Sequence, residues 1–97
     1  MINEKGAVMK AVITVVGKDT VGILAKVSVL CANHGANIID VTQTVMQDMF
    51  CMIMFCETDD LTIPFSEFVD KAALLGDKNN LKIHVMHEDL FNSMHKI

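Results

Sequence analysis

Ala11-Val12-Ile13-Thr14-Val15-Val16-Gly17-Lys18-Asp19-Thr20-Val21-Gly22-Ile23 is the stretch from which the fold of this chain is read. The run from Ala11 to Val16 is β-branched and apolar on both faces, which reads as a buried strand. Apolar residues then recur at Ile23, Leu24, Val27, Leu30 and Cys31, the spacing of a helix running to His34. Between the two lies a turn bracketed by Gly17 and Gly22. A turn that delivers a helix start at a strand end presents unpaired backbone N–H groups and the positive end of the helix dipole. That is a place for a small anion. The turn carries an acid, Asp19, and lacks the Lys-Ser/Thr pair of a phosphate loop. The combination suits a ligand bearing both charges, such as a free amino acid, better than a nucleotide.

Beyond the helix, Gly35 is placed for a left-handed cap. Ile38 to Met46 alternates poorly but is rich in Ile, Val and Thr, and is expected to be a strand. Gln47-Asp48 makes a tight turn. Met49 to Glu57 follows as a strand apolar on both faces, which belongs in the middle of a sheet. After the loop Thr58 to Thr62, Pro64 opens a second helix with a stripe of Phe65, Phe68, Val69, Ala72 and Leu75, ended by Gly76 to Asn80. Leu81, Ile83 and Val85 alternate with Lys82 and His84, as on an edge strand. Glu88 to Lys96 offers a short C-terminal helix with Leu90, Phe91 and Met94 on one side. The order strand, helix, strand, strand, helix, strand predicts an α+β, ferredoxin-like βαββαβ sandwich. Its four-stranded antiparallel sheet has the first and third strands in the centre and two helices on one face. The other face is left for the C-terminal helix or a second subunit to cover.

The chain has 97 residues, enough for one domain, placed here at residues 9–97. Residues 1–8 fit neither strand nor helix and are expected to form a flexible extension. Apolar residues make up 52%, in runs far shorter than the ~20 that a spanning helix needs. So no membrane is expected as a partner, and the apolar excess points to surface hidden against another copy. The formal charge is −4 and all eight basic residues are lysines. Without arginine, the bidentate clamp for phosphates and base edges is missing, which argues against nucleic acid. Three cysteines, no signal peptide and no paired spacing fit free thiols in a reducing cytoplasm.

Many functions share this fold, so residues must discriminate. The first turn holds no Cys-x-x-Cys for a metallochaperone and no arginine for an acylphosphatase. Phe50 and Phe55 lack the neighbouring lysines of an RNA-recognition surface. Met46, Met49, Met52 and Met54 could suggest Cu(I), but Met52 and Met54 lie in a continuous apolar run, and packing is the simpler reading. His84 and His87, three apart on a strand, point to opposite sides. Asp40 and Gln43 do the same and cannot form a catalytic pair. No metal, cofactor or catalytic constellation is expected, and the chain reads as a binding module rather than an enzyme.

Gly17-Lys18-Asp19-Thr20-Val21-Gly22-Ile23, with Ala25, Val27 and Leu30, then Gly35-Ala36-Asn37-Ile38-Ile39-Asp40 and Gln43, resembles the ACT domain. The resemblance spans Met9 to about His87. It extends to small bacterial and archaeal proteins made of a single such domain, and to the ACT modules of glycine-cleavage regulators and formyltetrahydrofolate hydrolases. Those modules share a G-x-D-x-x-G-I turn and a G-x-N-I-x-D-x-x-Q second strand. Val21 departs from the pattern, since relatives commonly carry proline or another residue there. The resemblance implies a regulatory, allosteric module that binds an amino acid or similar effector at a subunit interface, here as a homodimer with a possible protein partner. The implied ligand-binding residues are Asp19, Thr20, Val21, Gly22, Ile23, Leu24, Asn37 and Ile38. The ligand carboxylate would meet the N–H groups of Ile23 and Leu24, and its ammonium group Asp19 or Asn37. The plainer readings are a glycine that only makes the turn, an aspartate that caps the helix, and an asparagine that suits a left-handed turn. The rival function is a dimeric protein-interaction module with no ligand.

Overall fold

The first strand, β1 (Lys10–Gly17), buries five of its eight residues, because it is paired on both edges and packed on both faces. Strand β3 (Met49–Glu57) runs antiparallel along one edge and β4 (Leu81–His87) along the other. Strand β2 (Asn37–Met46) pairs antiparallel with the far edge of β3, giving the order β2-β3-β1-β4. The expected ferredoxin-like α+β arrangement is therefore what the chain adopts, with β1 and β3 central. The computed structural model describes residues 9–18 and 22–94. The expected extension at residues 1–8 lies outside them, as do Asp19, Thr20 and Val21.

Helices α1 (Ile23–His34) and α2 (Phe65–Lys78) pack on one face, here the inner face. Ile23, Val27 and Cys31 of α1 and Phe68 and Ala72 of α2 meet Ile13, Val15, Met52 and Met54, all buried in one cluster. Met52 and Met54 are thus core packing. The loss of clean alternation in β2 has a local cause. Ile38 stands opposite Cys56 and Asp40 opposite Phe55, so Ile39 is an extra residue at a bulge. Past the bulge, Asp40 and Gln43 fall on opposite faces, as their spacing requires.

The end of α2 falls at Lys78, within the expected stretch from Gly76 to Asn80. Gly76 itself is still helical, and Asn80 carries the left-handed backbone at the corner (φ 56). Gly76 is buried because α2 crosses β4 closely there. A Cβ at this position would lie 2.7 Å from the Leu81 carbonyl oxygen.

The outer face holds Val12, Thr14 and Val16 of β1, Cys51, Ile53 and Phe55 of β3, and Lys82, His84 and Met86 of β4. A third helix, α3 (Glu88–Met94), turns back over one half of it. Phe91 meets Phe55 edge-on at 5.8 Å, and Val12 is fully buried. The expected stripe on α3 is only partly used: Phe91 packs, while Leu90 and Met94 are 53% and 57% exposed. Across the other half, Val16, Cys51 and Ile53 remain partly exposed. No helix among the described residues is long and apolar enough to cross a membrane.

Candidate functional site

The first turn of α1 is built as the sequence suggests. Gly22 is its N-cap, with φ 72 and ψ 7, a left-handed conformation that glycine adopts without steric cost. A Cβ there would meet nothing within 4 Å, so backbone conformation rather than crowding selects the residue. The Gly22 carbonyl accepts the first helical bond, from the Lys26 N–H at 3.0 Å. Among the described residues no side chain caps the helix, and its first turn contains no acid. Gly22 itself offers the N–H groups at Ile23 and Leu24 no side-chain acceptor of the kind that usually serves a helix start. Ile23 is buried in the core, while Leu24 is 38% exposed.

Around this end of the sheet, Lys18 pairs with Asp48 at 3.5 Å, and both are largely exposed. Lys26 donates to Asn79 Oδ1 at 2.7 Å, tying α1 to the end of α2. A cleft of about 590 Å³ opens at the same end, lined by Val16, Gly17, Lys18, Met49, Leu81 and Lys82. Its walls come from the end of β1, the start of β3 and the α2–β4 corner. Sequence reasoning missed Met49, Leu81 and Lys82 as neighbours of the turn. Strand order was the available signal, since antiparallel pairing puts the start of β4 against the end of β1.

Asn37 and Ile38 do not join that site within one chain. Asn37 pairs with Glu57, which pairs with Lys10, at the start of β1. Gly17, next to the turn, pairs with Phe50 and Leu81 at the opposite end. Seven strand steps of ~3.3 Å separate the two ends by roughly 23 Å. The expectation that Asn37 sits beside the first turn is corrected for the single protomer, because α1 carries the chain back before β2 begins. There the exposed Asn37 side chain donates from Nδ2 to Glu57 Oε1 at 3.2 Å. The corner before it is fixed by Gly35 (φ 80), whose N–H, with that of Ala36, bonds the Cys31 carbonyl.

A second cavity of about 190 Å³ lies at this far end, lined by Met9, Leu61, Ile63, Phe65 and His87 among others. The His87 ring stacks on Phe65 at 4.1 Å, while His84 lies on the outer face, so the two histidines point apart. Among the described residues no three His, Cys, Asp or Glu side chains gather as metal ligands. Cys31, Cys51 and Cys56 are free thiols. Burial pushes Cys31 up to about 11 and Cys56, also raised by the neighbouring Cys31, up to about 12. Neither thiol is a nucleophile at neutral pH.

The sheet order and the glycine-started first helix place the chain among small ferredoxin-like α+β domains. Residues 10–86 match the family model of the ACT domain. The chain belongs to the ACT domain family, whose members are generally regulatory ligand-binding modules. It is 45% identical over 89 residues to a UPF0237 protein of Listeria monocytogenes, covering 92% of this chain and all of that one. A UPF0237 protein of Methanococcus maripaludis is 44% identical over 86 residues, covering 89% and 96%. Among solved structures, an ACT domain protein from Streptococcus pneumoniae superposes with a TM-score of 0.76 at 38% identity, covering 87% of this chain and 94% of that one. A putative glycine cleavage system transcriptional repressor gives 0.67 at 28% identity, covering 81% and 45%.

Proposed function

We propose that this chain is a regulatory sensor of an amino acid or related small carboxylate, working as a homo-oligomer in the cytoplasm. The observation that carries this reading is the start of α1, where the N-cap Gly22 offers the helix N–H groups no side-chain acceptor of its own. A ligand carboxylate supplies the missing acceptor at Ile23 and Leu24. The ligand's ammonium group is taken by Asp19, which follows Lys18 in the same stretch as Thr20 and Val21, or by Asn37. Asn37 and Ile38 are contributed by a second copy, since one protomer holds them at the other end of its sheet. Strand β2 is an uncovered edge without lysine or proline, and such an edge accepts another strand. Antiparallel pairing of two β2 edges sets the start of one beside the end of the other, on the side of the turn. Ligand then bridges two chains, and the reshaped assembly is what a partner protein reads.

The test is thermal unfolding against each of the twenty amino acids at millimolar concentration, with mass followed by light scattering. A ligand at ~100 times its dissociation constant adds about 2.7 kcal/mol. In a domain of this size that is a rise of roughly 10–20 °C. The shift is expected to vanish in Asp19→Ala and to weaken in Asn37→Ala. Unchanged affinity in both variants would refute the site. A flat panel would favour the ligand-free interaction module.

A further inference from the structure

The outer face of the sheet divides into two unlike halves. Over one half lies α3, a ridge whose Leu90 and Met94 are more than half exposed. The other half is an open floor of Val16, Cys51 and Ile53, bordered by Met49 and the exposed Met46. An exposed ridge and an open apolar floor on one face are the two parts of a self-complementary contact.

Charge divides the same way. Among the described residues, the α3 end of the face carries Asp40, Glu57, Glu88 and Asp89 with one lysine, Lys10. The open end carries Lys82 and Lys18, the latter paired with Asp48, while Asp77 of α2 borders the cleft beside them. His84 lies between them. A second copy turned end for end sets its acidic α3 start against Lys82 and Lys18, and its Leu90 and Met94 over Val16, Cys51 and Ile53. A copy in the same direction would bring acid to acid. We propose that two copies of this chain pack outer face to outer face about a two-fold axis, each α3 lying in the open half of the other's sheet. This contact uses the outer face rather than the backbone edge of β2, and it shares Val16, Lys18, Met49 and Lys82 with the cleft at the candidate site.

The full chain is followed by sedimentation at ~100 µM together with thiol labelling near neutral pH. Cys51 sits on the open floor, whereas Cys31 and Cys56 are buried in the core, so labelling of the folded chain reports this face. Leu90→Glu with Met94→Glu touches only exposed side chains and keeps a helix-forming residue. This double variant, and separately Lys82→Glu, is expected to halve the mass and raise the Cys51 labelling rate at least tenfold. Val45→Lys, on the inner side of the β2 edge, is expected to leave Cys51 protected. The proposal is overturned if the wild-type chain is monomeric, if the α3 and Lys82 variants keep wild-type mass and labelling, or if Val45→Lys alone exposes Cys51. None of these readouts involves a small molecule, so they stand or fall apart from the effector reading.

Discussion

Gly76→Ala should destabilise this protein, although helix propensity alone says the opposite. In an exposed helix interior, alanine gains about 1 kcal/mol over glycine. Gly76 is buried within α2, and its added Cβ would lie 2.7 Å from the Leu81 carbonyl oxygen, 3.1 Å from Ile83 Cγ1 and 3.2 Å from the Ile83 nitrogen. Two of these three atoms are backbone of β4, held in register with Gly17 and Val15 of β1. They cannot rotate away. Ordinary contact begins near 3.4 Å, so α2 must retreat by about 0.7 Å, the difference between 3.4 and 2.7. That retreat loosens Phe68 and Ala72, both fully buried beneath the same helix. Overpacking of this kind costs about 1–3 kcal/mol. Set against the propensity gain, the net is a loss of about 1 kcal/mol, or roughly 4–8 °C in the midpoint of thermal unfolding. The neighbouring Asp77→Ala is the control. Asp77 is exposed in the last turn of α2, where a negative charge opposes the helix dipole and alanine is the better helix former. It should raise the midpoint. Two adjacent substitutions to the same residue thus move in opposite directions. A midpoint that rises in Gly76→Ala would refute the close helix–strand approach.

The two left-handed glycines should differ in their tolerance. Gly22→Ala carries only the backbone cost of ~1–2 kcal/mol, since its Cβ has open space, whereas in Gly35→Ala the new Cβ also runs into the Asp60 carbonyl; chemical denaturation should rank Gly35→Ala clearly lower. Thiol titration should find Cys31 and Cys56 reacting only on unfolding, in wild type and in the Leu90→Glu, Met94→Glu variant alike, with Cys51 alone reacting faster in that variant; three equally fast thiols in the folded chain would contradict the core assignment. Stability should fall in alkali. Cys31 and Cys56 keep their protons to about pH 11 and 12 when folded, against 9.0 for an ordinary thiol. The unfolded chain therefore binds fewer protons above pH 9, and stability declines as pH rises from there through the folded values. Replacing both by alanine should flatten that slope relative to wild type. Finally, if Asn37 completes the effector site from a second chain, apparent affinity must fall when the protein is diluted below its own dissociation range; calorimetry at two concentrations differing by ~30-fold reads this directly.

Most of the fold was legible because the strong signals are local. β-branched runs, a helical stripe, Gly35 at a cap and Pro64 at a helix start each act within a few residues, and each lies where expected. The packing role of Gly76 was not legible for the same reason. A glycine near the end of a helical pattern has two uses, to end the helix or to let it approach a neighbour, and only the position of β4 distinguishes them. The uneven pattern of β2 likewise concealed a bulge at Ile39, which only pairing with β3 exposes. Leu90 and Met94 look like core from their spacing with Phe91, yet only Phe91 meets Phe55 on the sheet, and the other two stay more than half exposed.

The candidate site was legible in its parts and not in their arrangement. Gly22 and Asn37 belong to motifs that follow one another closely in sequence, which invites placing them side by side. The helix between them prevents it. A twelve-residue helix advances ~18 Å, close to the length of the strand it lies against, so it returns the chain to the edge of the sheet where β1 began. In a βαβ unit of this size, the residues before and after the helix must be at opposite ends. If both contact one small ligand, then the ligand lies between two chains. The proposed sensor is thereby tied to assembly by geometry alone: a site divided across the length of a single sheet is complete only when a second sheet runs the other way.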